Sequence, residues 1–156
     1  MLRQLVKITN AYPMTEADIS LITTASSLHD IGKIRIPEEI LNKPGRLTDE
    51  EFRIMKTHSE LGADMIQDMH FPKDNSLVRA SWEICRWHHE RWDGKGYPDG
   101  LKGEEIPISA QVVSIVDVYD ALTSERCYKK AFDHDTAIQM ILDGNADNLT
   151  PSSLSA

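Results

Sequence analysis

No stretch of this chain stays apolar for long. The longest uninterrupted apolar run falls far short of the roughly 20 residues that span a bilayer. Residues 1–28 lack the layout of a signal peptide, because polar residues break every candidate apolar core. Cysteine is scarce, and Cys85 and Cys127 form neither a framework nor a C-x-x-C pair, which fits a reducing, cytoplasmic setting. Positive charge is in deficit: 17 Lys and Arg face 25 Asp and Glu, for a net charge of −8. That balance argues against non-specific nucleic-acid binding. It leaves an anionic substrate open, because bound divalent cations would reverse the local sign. Internal repeats and low-complexity tracts are also missing. What remains, 156 residues with 40% hydrophobic and 27% charged side chains, is the size and composition of one ordinary globular domain.

The pattern reads as helix after helix. Residues 2–11 are a short apolar-rich segment ended by Pro13. Thr15 with Asp18 starts a helix whose stripe runs through Ile19, Ile22, Leu28 and Ile31, closed by Gly32 and Pro37. After the turn "KPGRL", Thr48 as N-cap with Glu51 three residues on begins a helix that reaches about His70. Further helices are expected over about 76–92, 109–124 and 133–144. Between Asp93 and Pro107 lies one long loop with glycines at 94, 96, 100 and 103 and prolines at 98 and 107. β-branched residues cluster only at 112–118, where helical spacing still holds. The fold class is all-α.

Several polar residues sit where helices should bury carbon. His29 and Asp30 follow Leu28 and precede Ile31, and an ionised carboxylate there is costly unless compensated. Asp117 lies beside an expected buried stripe of 112, 115, 116, 119 and 122. Taken alone it reads as a structural hydrogen-bond acceptor ahead of a metal ligand. His58, expected mid-helix, reads alone as a satisfied polar neighbour. His88 and His89 are adjacent on a helix, about 100° apart, and converge only on a site lying between them. Cys85 near them has no second half with zinc-ligand spacing. Together, His29, Asp30, His58, His88, His89 and Asp117 are imidazole and carboxylate groups spread over four helices, the way metal sites are built in helical bundles. Such a set suits iron, manganese or zinc, and a bridging carboxylate such as Asp30 suits two ions. His70 and His134, at expected helix ends, read as surface or dipole residues.

The runs "HDIGK", "ILNKPGRLT", "MKTHSELG", "HHERWDGKGYP" and "VDVYDALTSERCYKKA" resemble, in order and spacing, the HD-GYP branch of the HD phosphohydrolase superfamily, from about Ala25 to about Ile141. The resemblance implies a bundle of about five to seven helices with one long Gly/Pro-rich loop. It implies hydrolysis of cyclic di-GMP to pGpG, GMP or both in bacterial signalling, at a centre of two or three iron or manganese ions. It assigns His29, Asp30 (bridging), His58, His88, His89 and Asp117 as metal ligands. Lys33 would contact the scissile phosphate or activate the attacking water, and Arg126 and Lys129 would bind substrate. Gly96, Tyr97 and Pro98 form the loop that names the branch and is held to dock GGDEF-type partner domains.

Three departures set further expectations. The family carries another histidine ligand on a helix about thirty residues upstream, whereas no histidine precedes His29 here. Residues 1–144 are therefore expected to be a domain short of its first helix, under-loaded with metal, weak or inactive, and prone to form a homodimer. Cys127 stands where most members have proline. The tail, residues 145–156, lacks an aromatic anchor and is expected to be poorly ordered. Two other functions stay in view: a non-catalytic domain binding nucleotide or a partner through the Gly-Tyr-Pro loop, and an HD hydrolase acting on another nucleotide.

Overall fold

A computed structural model describes residues 14–72, 74–125 and 131–143. The segment 2–11, the residues Arg126, Cys127 and Lys129, and the tail 145–156 lie outside the described residues. Among the described residues the fold is all-α, with no strand. The elements are α1 (Glu16–Ser26), a 3-10 turn (Ile31–Arg35), α2 (Glu38–Leu41), α3 (Asp49–Lys56), α4 (His58–Asp68), α5 (Ser76–Trp87), a second 3-10 turn (Gly103–Glu105), α6 (Ile108–Thr123) and α7 (His134–Leu142). None of these helices is long and apolar enough to cross a membrane.

The starts follow local chemistry. Thr15 and Asp18 close a reciprocal capping box on α1, and Thr48 and Glu51 do the same on α3. Each satisfies backbone donors that a helix start leaves open. Asn75 caps α5 through the N–H groups of Leu77 and Val78, and Asp133 caps α7 through that of Thr136.

The ends differ from expectation. The helix expected to run to Ile31 stops at Ser26, because the hydroxyls of Ser26 and Ser27 turn back to donate to the carbonyls of Thr23 and Thr24. The helix expected over 48–70 is two helices, broken at Thr57, whose hydroxyl donates to the Ile54 carbonyl at 2.7 Å. The helix expected to reach residue 92 ends at Trp87.

Helix α5 is the centre of the molecule, packed on α1, α4 and α6. On one side Ala80 and Ile84 meet Ile22, Ala25, Val112 and Val113; on the other Cys85 meets Ala63 and Ile66, with Leu28 and Trp82 alongside. Full burial of a side chain such as Ile84 contributes about 1.5–3 kcal/mol. The stripe expected on α6 is shifted. Ser109, Ala110, Val112, Val113 and Leu122 are buried, whereas Ile115 is exposed. Val112 and Val113, in the first half of α6, are the residues that join the core formed with α5 and α1.

Glycine brings the 3-10 turn onto α4. A Cβ at Gly32 would lie 2.0 Å from the carbonyl oxygen of His58 and 2.5 Å from the Gly62 nitrogen. Gly32 therefore does not terminate a helix; it lets the turn bearing Asp30 touch the helix bearing His58.

Candidate metal centre

Three histidines gather at helix ends, each ring held by a carbonyl of the last turn before it. His29 Nδ1 is 2.8 Å from Ser26 O at the end of α1, and His58 Nδ1 is 2.8 Å from Met55 O at the end of α3. His88 Nδ1 lies 2.8 and 3.1 Å from the Ile84 and Cys85 oxygens at the end of α5. A carbonyl only accepts, so each Nδ1 carries a proton. The Nε2 atoms of His58 and His88, whose charged forms burial disfavours, present lone pairs, whereas His29 Nε2, when protonated, donates to Asp30. The Nε2 atoms of His58 and His88 then face one another at 3.4 Å. Two lone pairs so placed repel unless a cation sits between them. Ligand atoms of His58, His88 and His89 all lie within 4.8 Å of one another, so this group can hold a metal ion.

Asp30 joins this floor to an open upper half. Its Oδ1 is buried without a hydrogen-bond partner, 3.4 Å from His58 Nε2 and 3.9 Å from His88 Nε2. Its Oδ2 lies 2.6 Å from Lys33 Nζ and 3.3 Å from His29 Nε2. His29 Nε2 in turn is 4.0 Å from Asp117 Oδ1 on α6. The floor is closed, with His58 at 2% exposure, while His29, Asp30, Lys33 and Asp117 are each a quarter exposed or more. One carboxylate thus faces a dry imidazole cluster with one oxygen and a solvent-reached cluster with the other. Burial pushes the Asp30 carboxyl up, but hydrogen bonds from His29 and Lys33 outweigh it and hold the group well below the usual range. Cys85, buried beneath, donates its thiol to the Leu28 carbonyl at 3.1 Å, bracing the turn from below.

The long loop is latched rather than free. Asp99 accepts two bonds from Arg86, at 2.7 and 2.8 Å, and one from the Trp87 indole at 2.7 Å. Buried Glu90 accepts from the N–H groups of Asp99 and Gly100. The Tyr97 N–H donates to the His89 carbonyl, and its ring stacks on the His89 imidazole with centroids 4.7 Å apart. A Cβ at Gly96 would fall 2.4–2.6 Å from the backbone of His89, Glu90 and Arg91, so only glycine lets the loop pass there.

The chain matches the HD domain family over residues 2–152. It belongs to that family. Within it, the run from His88 to Pro98 marks the HD-GYP branch. A cyclic di-GMP phosphodiesterase of Vibrio cholerae is 46% identical over 145 residues, covering 92% of this chain and 29% of the relative. A cyclic di-GMP phosphodiesterase of Thermotoga maritima is 47% identical over 123 residues, 79% of this chain and 32% of the relative. The 3'3'-cGAMP-specific phosphodiesterase 2 of Vibrio cholerae is 42% identical over 123 residues, 79% of this chain and 23% of the relative. The chain spans under a third of the length of each of these relatives.

The HD domain brings together His29, Asp30, Lys33, His58, His88, His89 and Asp117, and sets Tyr97 against them. Of the histidines and carboxylates, only Asp117 sits inside a helix. His29 and Asp30 occupy a turn, His58 opens α4, and His88 and His89 follow the end of α5. His70 is exposed beyond α4, as expected. His134 is exposed at a helix end, as the surface reading expected; because that end is the start of α7 the dipole reading does not apply, and its ring bonds the Tyr119 hydroxyl at 2.8 Å. Glu90 and Asp99 were missed as the groups that fix the loop, although Glu90 lies in the motif run and Asp99 directly follows it. Lys56, two residues before His58, was also missed.

These surroundings make the metal-free HD domain acid-labile. Burial pushes His58 and His89 below the ordinary histidine value and His88 down to about 3, so all three stay neutral in the fold. The unfolded chain takes up protons below about pH 6.5. Their stabilising contribution is therefore present above that pH and lost as pH falls toward the folded value. His29 runs the other way: hydrogen bonding to Asp30 raises it, and its contribution is lost as pH rises through the raised value. Three groups against one leave a net acid loss. With chelator present, urea unfolding at pH 5 should give a stability lower than at pH 7, with about 2 kcal/mol from His88 alone. A flat profile would show the imidazoles to be freely hydrated.

Proposed function

We propose that this domain is a metal-dependent phosphodiesterase that hydrolyses a cyclic dinucleotide, cyclic di-GMP foremost, to pGpG, GMP or both. The observation that carries the reading is Asp30, with one carboxylate oxygen on the His58–His88 side and the other on the His29–Lys33 side. His58, His88 and His89 would hold one divalent ion and His29 with Asp117 a second, Asp30 reaching both; iron or manganese suits this nitrogen and carboxylate set. Bound there, the ions would supply Lewis acidity and a water acidified enough to act as nucleophile near neutral pH. The chain's own residues do the rest. The backbone carbonyls of Ser26, Met55, Ile84 and Cys85 fix the imidazole tautomers, so no reorientation is needed on loading. Lys33, half-exposed beside Asp30, is placed to neutralise charge growing on the phosphate oxygens. The loop bearing Tyr97 walls the centre from the His89 side. Arg126 and Lys129 would bind the substrate's phosphate or guanine, as the family pattern assigns them. Docking of a GGDEF-type domain on the Gly96–Pro98 loop belongs to the same reading, supported by the exposed Trp92 on that loop, and a cytoplasmic setting fits a nucleotide signal.

The test is hydrolysis by the chain loaded with manganese or iron, with cyclic di-GMP, 3'3'-cGAMP and linear pGpG offered separately. Cleavage of a cyclic dinucleotide that chelator abolishes is the expected result, and the ratio between the two cyclic substrates decides which signal is read. Full metal loading without cleavage would favour the non-catalytic alternative. A second readout needs no turnover. Binding to the folded state alone at a hundred times Kd contributes about 2.7 kcal/mol. For a chain of this size, manganese should raise Tm by roughly 5–10 °C. An unchanged Tm with bound metal would show that the ions do not join the elements that form the centre.

A further inference from the structure

We infer that Lys56 is a specificity-determining contact for the second phosphate of a cyclic dinucleotide, the one not being cleaved; this rests on the function proposed above. Lys56 is the last residue of α3, two positions before His58. Its ammonium is directed over two aromatic rings. It lies 5.3 Å from the centroid of the Phe52 ring and 5.6 Å from that of Tyr97, and the residue is half-buried. Tyr97 in turn stacks on His89 and meets His58 edge-on at 6.5 Å. One aromatic ring therefore separates this cation from the imidazole cluster.

The neighbouring cations are already matched. Lys33 is bound to Asp30, Arg53 on the same helix to Glu50, Lys43 to Glu51 and Arg86 to Asp99. Lys56 makes no ion pair among the described residues, in a chain where acids outnumber bases. A helix C-terminus favours a lysine, but that does not account for where this side chain goes. The last-turn carbonyls of Ile54 and Met55 already accept from Thr57 and His58, and the ammonium turns to the rings instead. Two ring faces orient the charge without neutralising it, so it remains available to an anion.

A cyclic dinucleotide carries two phosphodiesters on opposite sides of one macrocycle. With one at the ligand cluster, the other must lie to one side of it. Lys33 stands by Asp30 and serves the reacting group, whereas Lys56 stands beyond Tyr97. It would recognise the intact phosphate by charge and add to ground-state and transition-state binding alike. A linear dinucleotide with a single phosphodiester, GpG, offers nothing to Lys56. The same residue would thus favour the cyclic form.

The experiment compares the manganese-loaded chain with Lys56→Met, which keeps the alkyl stem on the rings, with Lys56→Arg, and with Arg53→Gln as a charge control on the same helix. Kinetics use cyclic di-GMP and GpG, and calorimetry uses the hydrolysis-resistant bisphosphorothioate of cyclic di-GMP. Lys56→Met should raise KM and weaken analogue binding about tenfold, equivalent to about 1.4 kcal/mol, with kcat within about threefold. Lys56→Arg should recover most of the loss, and Arg53→Gln should match the parent. Wild-type binding should weaken with added salt more steeply than that of Lys56→Met, a comparison that needs only folded protein. Unchanged KM and binding in Lys56→Met, in a chain that cleaves cyclic di-GMP, overturns the inference alone. So does an equal loss on GpG. A wild-type chain that neither binds nor cleaves cyclic di-GMP overturns the proposed function and the inference with it.

Discussion

Replacing Asp30 with alanine should abolish hydrolysis, lowering kcat by about a thousandfold or more, and should cut bound metal to one ion per chain or fewer. The expectation follows from the two oxygens. Oδ1 is buried with no hydrogen-bond partner, facing Nε2 lone pairs 3.4 and 3.9 Å away, and Oδ2 faces His29 and Lys33. Removing the carboxylate would leave each half of the proposed centre short of a ligand, and among the described residues it takes away the group that faces both. Stability alone does not identify this role, because Asp30 also stabilises the metal-free fold through His29 and Lys33. Lys33→Met separates the two roles. It breaks the same ion pair but removes no atom that can bind a metal, so metal content should hold while kcat falls by roughly a hundredfold, the usual effect of losing one charge-stabilising donor. If Lys33→Met loses metal as Asp30→Ala does, the pair is a structural brace. If Asp30→Ala keeps both metal and activity, the centre lies elsewhere.

The helix starts were legible because they are chemical. Thr15 with Asp18 and Thr48 with Glu51 form capping boxes where the spacing predicts them. The helix ends were not, and the reason is geometric. Ser27, Thr57 and His88 follow the ends of α1, α3 and α5 with φ/ψ of −62/−16, −66/−11 and −66/−12. That backbone is nearly helical, contains no glycine or proline, and barely disturbs the apolar period, so the pattern reads straight through the break. Yet these breaks form the site, since at each a last-turn carbonyl also takes an imidazole Nδ1. The residues His29, Asp30, His58, His88, His89 and Asp117 could be named from residue type and motif, and the structure brings them together. Contacts between distant segments left no local signal. The close approach of Gly32 to Gly62 and the seat of Lys56 on Tyr97 depend on packing that no single window of sequence contains.

Gly32 carries the other large effect. A Cβ there would meet the carbonyl oxygen of His58 at 2.0 Å, its carbonyl carbon at 2.9 Å and the Gly62 nitrogen at 2.5 Å. All three are backbone atoms of a helix pinned against α5, so no side chain can swing aside. The turn itself must retreat from α4. Forcing atoms into packed space costs typically 1–3 kcal/mol, and rigid backbone on both sides places Gly32→Ala at or above the upper end. The displacement also opens the 3.4 Å gap between Asp30 Oδ1 and His58 Nε2, since the turn that moves is the one that carries Asp30. A shift of about 1 Å at reacting groups is enough for a loss of roughly a hundredfold. Gly32→Ala should therefore lower stability by about 3 kcal/mol in urea unfolding and weaken metal binding and turnover together. Gly62→Ala is the control from the other side of the contact. Its Cβ would be 3.2 Å from the Gly32 nitrogen and 3.5 Å from the Cys85 Cβ, a crowding that small shifts relieve. Alanine also favours a helix interior over glycine by about 1 kcal/mol, so the two effects nearly cancel. The asymmetry is the measurement: equal losses at the two glycines, or a Gly32→Ala chain with native stability and full metal, would mean that the turn is free to move and that Asp30 is placed by the ions rather than by the fold.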